Sequence, residues 1–137
     1  ANHPNACNLC HLDQPIDWTL DHLKAWYGAE YSEAMIAANY PHRNLDVGRA
    51  WLRSRHAPTR LVATEAIARE QPDWAVYSLL KALDDPNLIT RQLAQRRLKE
   101  DFATDLENSV GYRFYMTREE RRQPLAEARA AILEKTQ

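Results

Sequence analysis

The sequence predicts an all-α fold, because apolar residues recur at intervals of three and four along most of its length. Alternating runs of β-branched residues, which would predict strands, are scarce. Glycine occurs only 3 times in 137 residues, and Pro58, Pro72 and Pro86 stand where helices should begin. A chain of this length can bury a real core as one domain or as two small ones.

The N-terminal segment, residues 1–44, is predicted to form a small helical lobe. Its first helix should cover about residues 17–27, with Asp17 as the N-cap and Gly28 as the residue that ends it. A second short helix is predicted between Tyr31 and Tyr40, opening at Ser32. The lobe is rich in aromatic residues. We expect them either to line a pocket for a flat ligand or to form an ordinary core.

The following segment, residues 45–137, is predicted to consist of helix pairs joined by short turns. The four predicted helices are Leu45–Ser54, Pro58–Glu70, Pro72–Leu83 and Asn87–Glu100. The pattern repeats with an offset of 31 residues, which aligns Arg60, Ala63 and Ile67 with Arg91, Ala94 and Leu98. An arginine at the head of the second helix and an alanine three residues later are typical of a HEAT-type helical hairpin.

The C-terminal part is predicted to close this repeat region. The aromatic segment Val110–Met116 should lie across the last helix pair. Thr117 and Glu120 have the spacing of a capping box, and Pro124 either starts or kinks the helix that follows. We therefore predict two parts, an N-terminal lobe at 1–44 and a helical repeat region with a C-terminal capping helix at 45–137, which could also form one continuous domain.

Charge and hydropathy exclude some classes of protein. The net charge of −1 does not favour nucleic-acid binding. Residues 1–40 carry five acidic side chains against Lys24 alone, a net charge of −4, so the remainder carries +3. No apolar run approaches the roughly 20 residues that span a bilayer. The chain opens at Ala1 without a leader, and we interpret this as the mature form of an exported protein.

The stretch Cys7-Asn8-Leu9-Cys10-His11 contains both cysteines of the chain. C-x-x-C-H is the signature of c-type haem attachment. Two thiols on one turn can each add to a vinyl group of the same haem, and the adjoining histidine is then held at the iron as the proximal ligand. The spacing predicts one haem c, attached through both cysteines and ligated by the histidine. Because haem is attached covalently outside the cytoplasm, the motif also predicts a periplasmic or extracellular bacterial protein.

Two other interpretations of this motif stay open. In thioredoxin-like proteins a C-x-x-C dithiol lies between a strand and a helix, and no strand is predicted before Cys7. A structural zinc site normally needs four protein ligands, and the chain has no second cysteine pair to supply them. Haem attachment is the interpretation that we favour.

The second axial ligand of the iron is not set by the motif. We favour His42, because it follows Tyr40-Pro41 in a loop that can reach across a haem. The alternatives are Met35, His22, His56 and His3. Two histidine ligands favour a low reduction potential and a histidine with a methionine favours a higher one.

The run Asn5–His11, followed by Asp17-Trp18 and by Trp26-Tyr27-Gly28, resembles a segment of large multihaem c-type cytochromes. In those proteins the last haem motif leads into a short tryptophan-containing helix and then into HEAT-like or tetratricopeptide repeats. The resemblance implies electron transfer within larger redox assemblies, with Cys7, Cys10 and His11 as haem ligands. This chain has one haem motif where such relatives have several, so partner haems would lie on other chains.

Three functions follow from these observations. The first is an electron-transfer cytochrome that docks with redox partner proteins, such as other cytochromes or an oxidoreductase complex. The second is a haem-based sensor or ligand binder, and the third is a haemless helical scaffold whose cysteines form a disulfide. The sequence contains no nucleophile–base motif and no phosphate-binding loop that would predict an enzyme.

Overall fold

The computed structural model describes residues 4–135, with the side chains of residues 4–132. Over this range the fold contains nine α-helices and no strands, which confirms the predicted all-α class. The helices are α1 (Ala6–Cys10), α2 (Ile16–Tyr27), α3 (Glu33–Asn39), α4 (Val47–Trp51), α5 (Ala57–Glu70), α6 (Ala75–Ala82), α7 (Leu88–Phe102), α8 (Leu106–Val110) and α9 (Arg122–Lys135). None of the helices in this range is both long and apolar enough to cross a membrane.

The chain forms two compact units, Ala1–Pro72 and Asp73–Gln137, called here the first and second unit. The first unit holds α1 to α5 and the second holds α6 to α9. The functional division predicted between residues 44 and 45 stays a prediction.

Helix α2 begins one residue earlier than predicted, and its cap is different. Pro15 occupies the N-cap position, so the prediction of Asp17 as N-cap is wrong. Asp17 lies in the first helical turn and accepts a hydrogen bond from Arg43 Nε at 2.6 Å. Gly28 ends the helix as predicted, because its φ of 64° is the left-handed conformation that glycine adopts without steric cost.

Helix α3 confirms its predicted cap, since the Ser32 side chain accepts a hydrogen bond from Met35 N at 3.2 Å. The start of helix α4 is hydrogen-bonded to the loop that follows the cysteine motif. Its first amides, of Val47 and Gly48, donate to the carbonyls of Gln14 and Leu12. These two bonds attach the motif loop to the start of the helix pair α4 and α5.

Each of the two helix pairs, α4–α5 and α6–α7, contains an equivalent internal hydrogen bond. In the first pair Arg60 Nη1 donates to Ser54 O at 2.8 Å, and in the second Arg91 Nη1 donates to Asp85 O at 2.7 Å. Donors and acceptors are offset by the same 31 residues as in the sequence repeat. The equivalent positions Thr59/Thr90, Ala63/Ala94 and Ile67/Leu98 are all buried. The repeat is therefore a repeat of local structure, while its classification as HEAT-type stays a prediction.

The second unit departs from the sequence predictions at two helix starts. Helix α6 begins at Ala75 behind Trp74, so Pro72 does not start a helix as predicted. The short helix α8 was not predicted and is capped by Asp105, whose side chain accepts from Asn108 N. After α8 the chain places Tyr112 in the core, where its hydroxyl donates to Leu83 O at 2.6 Å.

The reciprocal hydrogen bonds of the predicted capping box form, but they lie in the turn that precedes α9 and not at its first residue, Arg122. The amide of Thr117 donates to Glu120 Oε2 at 2.8 Å, and the amide of Glu120 donates back to Thr117 Oγ1 at 3.4 Å. Pro124 lies in the first turn of α9, where a missing N–H is tolerated.

Candidate functional site

The cysteine motif forms a short helix instead of an irregular loop. Cys7 and Cys10 lie three positions apart on α1, which places their side chains on the same helical face. Neither thiol is in a disulfide, Cys7 is half-buried and Cys10 is exposed. His11 follows as the C-cap, with its amide bonded to Cys7 O at 3.1 Å and its side chain exposed.

A buried asparagine organises this turn from inside the motif. Asn8 is fully buried, with 0% of its surface exposed. Its Oδ1 accepts hydrogen bonds from Asn5 Nδ2 at 3.0 Å and from Thr19 Oγ1 at 2.6 Å, while its Nδ2 donates to His11 O at 3.2 Å. Asn5 is also the N-cap of α1, accepting from Asn8 N at 3.0 Å. The turn is thus bonded to its own start, to α2 and to the histidine.

Arg69, near the end of α5, contacts the same turn from a distance of 60 residues in sequence. Its Nη2 donates to Leu9 O at 2.8 Å, a carbonyl in the last turn of α1. The pKa of Arg69 is raised, chiefly by its hydrogen bond to Glu70 and also by electrostatic attraction to nearby groups that include Cys10. A cation therefore contacts the carbonyl of the residue directly before the second cysteine of the motif.

Aromatic rings extend from the motif histidine along one face of α2. The row consists of His11, Trp18, His22, Trp26 and Tyr27, with successive ring centroids 4.7, 4.2, 5.0 and 6.4 Å apart. At its far end Trp26 and Tyr27 are 61% and 77% exposed. The aromatic row thus connects the candidate proximal ligand to an exposed aromatic surface at the end of α2.

His22, one of the alternative axial ligands, has a defined tautomer in this row. Its Nδ1 lies 2.7 Å from Trp18 O. Because a carbonyl oxygen can only accept, Nδ1 carries the proton of the neutral ring, and Nε2 keeps the lone pair that a metal would use.

The favoured axial ligand, His42, lies elsewhere in the first unit. It lines a cavity of about 10 Å³ together with Tyr40, Trp51 and neighbouring residues, and none of the three motif residues lines that cavity. Such a volume holds about one water molecule. The structure does not bring His42 together with the motif through this cavity, and its role as the axial ligand stays a prediction.

Met35 is 43% exposed and lines a groove of about 340 Å³ between α2 and α3. Asn5, the residue that caps the motif helix, lines the same groove. His56 is the N-cap residue of α5, and its Nδ1 lies 3.0 Å from Thr59 Oγ1. His3, the last alternative, lies outside the described residues.

Two cations of the N-terminal segment 1–44, Lys24 and Arg43, are paired with carboxylates. Arg43 pairs with both Asp17 and Glu33. Its hydrogen bonds to these two carboxylates raise its pKa, and the bond to Glu33 contributes most. Lys24 pairs with Glu30 at 3.2 Å. The excess acidity of the first 40 residues is therefore partly neutralised on the surface.

The donor set of the motif fits a covalently attached haem. Two unpaired thiols share one helical face, and an exposed imidazole follows the second thiol directly. Among the described residues no group of three or more histidine, cysteine, aspartate or glutamate side chains is arranged to hold a metal ion. No protein-family model, curated protein or solved structure matches the chain.

Several residues of this site were missed by the sequence analysis. Asn5 had a recognisable signal, because an asparagine just before a short helix is a strong N-cap residue. Asn8 and Thr19 had none, since polar residues at these positions predict surface. Arg69 was also beyond reach, because its partner is 60 residues away and the contact depends on tertiary packing.

Proposed function

We propose that this protein is a c-type cytochrome that transfers electrons through one covalently attached haem. The observation that carries the proposal is the motif turn, where Cys7 and Cys10 present two unpaired thiols on one face and His11 follows with an exposed ring. A haem held there would supply one-electron redox chemistry at its iron.

In this proposal each residue of the turn has a distinct task. Cys7 and Cys10 bind the porphyrin edge through thioethers, and His11 ligates the iron through its imidazole. Trp18 packs against one side of the His11 ring. Arg69 holds the end of α1 in place.

The helix pairs have a supporting role in the proposed function. We propose that the repeated pairs, which resemble HEAT-type hairpins, provide surface for a larger redox assembly outside the cytoplasm. The partners would be other redox proteins, because the chain has one haem motif and an electron carrier needs both a donor and an acceptor. Exposed aromatic residues such as Trp26 are common at protein interfaces.

The test is to produce the chain in a bacterial host that matures c-type cytochromes and to extract the pure protein with acid acetone. We expect the haem to stay with the polypeptide and to give a pyridine haemochrome spectrum typical of two thioethers. The Cys7→Ala/Cys10→Ala variant should lose the haem, whereas Tyr77→Phe, at an exposed residue outside the motif, should keep it.

The outcomes separate the three candidate functions. A colourless wild-type protein would leave the helical scaffold as the remaining function. A haem protein whose reduced form binds carbon monoxide stoichiometrically would favour the sensor, because it would show an open or displaceable axial position. Covalent haem without carbon monoxide binding is the result that the electron-transfer proposal predicts.

A further inference from the structure

The side chain of Asn8 makes polar contacts deep inside the haem motif, at a position whose side chain attaches no haem. It is 0% exposed, although Cys10, two residues later, is exposed. Its amide oxygen has two donors, Asn5 and Thr19, and its amide nitrogen has one acceptor, the carbonyl of His11. A change at Thr19 therefore removes one of the two donors to the amide oxygen and leaves the other, from Asn5, in place.

Two consecutive residues of α2 act on His11, one through Asn8 and one by direct contact. Thr19 is 3% exposed, and its hydroxyl reaches Asn8 at 2.6 Å, so it acts on the His11 backbone through that amide. Trp18 contacts the His11 ring directly, with centroids 4.7 Å apart and the planes inclined by 44°. The backbone and the ring of His11 are thus both held by contacts with the same turn of α2.

We propose that Asn8 and Thr19 are positioning residues that set the orientation of the His11 imidazole at the iron, an inference that rests on the proposed haem attachment. The Thr19–Asn8–His11 chain of hydrogen bonds fixes the position of the backbone from which the ring projects. Trp18 then limits rotation of the ring about its side-chain torsions.

The physical reason lies in how outer groups control a metal ligand. Residues that hold a ligand in place fix its orientation and tune the metal, even though they do not touch it. In a haem protein the plane of the axial imidazole determines how the iron d orbitals split, and the g values of the ferric protein report that splitting. A change in the backbone that carries His11 should therefore appear in the spectrum while the thioethers keep the haem attached.

The experiment compares two buried threonines of the first unit. Thr19→Val removes the hydroxyl that donates to Asn8. Thr64→Val is the matched control, because Thr64 is also buried and its hydroxyl donates to a carbonyl of its own helix, Arg60 O at 2.8 Å. Electron paramagnetic resonance of the ferric proteins and redox titration are measured on both, together with their urea denaturation.

We expect both variants to keep covalent haem and to lose similar stability. Only Thr19→Val should shift the g values and the midpoint potential, and Thr19→Ser, which restores a hydroxyl, should return both to the wild-type values. Wild-type g values in Thr19→Val, or an equal shift in Thr64→Val, would overturn the positioning role.

A second variant covers the case in which Thr19→Val loads too little haem. Asn8→Leu has a similar shape, introduces no buried charge and removes both the acceptor for Thr19 and the donor to His11 O, so its g values should also shift. Wild-type g values in this variant would overturn the role of Asn8. A wild-type protein without covalent haem is a different result, because it refutes the proposed function itself.

Discussion

The Tyr112 hydroxyl is the clearest quantitative test of how the second unit is held together. Tyr112 is fully buried, and its hydroxyl donates to Leu83 O at 2.6 Å, across 29 residues of sequence. Tyr112→Phe removes the donor and leaves the buried carbonyl of Leu83 unpaired. This should cost about 1–3 kcal/mol of unfolding free energy. For a unit of this size each kcal/mol corresponds to a decrease in melting temperature of roughly 4–8 °C.

The same side chain predicts a dependence on pH. Burial raises the pKa of Tyr112 to about 12, against about 10 in an unfolded chain. The folded state therefore keeps the proton more tightly, and the stability that this contributes is fully present below about pH 10. It is lost as the pH rises from about 10 to about 12, by about 1.4 kcal/mol per pH unit. Phenylalanine cannot titrate, so the difference between wild type and Tyr112→Phe should narrow over this range.

The assay is urea denaturation followed by far-ultraviolet circular dichroism, at neutral pH and at several values between pH 9 and about 12. Tyr77→Phe is the matched control, because Tyr77 is 52% exposed and keeps its ring beside Lys81 after the change. We expect the control to stay within about 0.5 kcal/mol of wild type. A Tyr112→Phe variant as stable as the control at neutral pH, or a difference that does not change up to pH 12, would refute the reasoning.

Three further changes test other contacts. Arg69→Gln should lower the haem bound per polypeptide several-fold, because the charged donor to Leu9 O is lost; haem-stained gels measure this, and full loading would contradict it. Arg91→Lys should destabilise the second unit by about 2 kcal/mol, because lysine cannot bond the carbonyls of Asp85 and Phe114 together; urea midpoints would reveal the loss. Thr117→Ala should cost about 1 kcal/mol through loss of the capping box, and an unchanged melting temperature would contradict this.

Features that depend on neighbouring residues could be predicted from the sequence. The left-handed end of α2 at Gly28 and the cap of α3 at Ser32 each depend on a few adjacent positions, as does the capping box at Thr117. The offset between Arg60 and Arg91 was also visible, because the repeat preserves residue type at equivalent positions. Such features depend on residues that are adjacent in sequence, which is why they can be recognised without a structure.

Features that depend on packing could not be predicted. Asp17 has good N-cap chemistry, but Pro15 sets the start of α2, and the Asp17 carboxylate pairs with Arg43 instead. The burial of Asn8 arises because Thr19, on the next helix, supplies a donor at the right distance. A polar residue can be buried only where such a partner exists, and the partner is known only once the helices are placed.

Under the proposed function, the hydrogen bonds of the motif turn would orient a ligand as well as stabilise the fold. An apolar residue in place of Asn8 could fill the same space, but it would not constrain where Asn5, Thr19 and the carbonyl of His11 lie. A fully bonded amide is more specific, since it is satisfied only when the carbonyl of His11 and the hydroxyl of Thr19 occupy defined positions. Such a constraint is useful if the imidazole on that residue must meet a metal at a defined angle, which is why Thr19→Val is the most informative single variant for this chain.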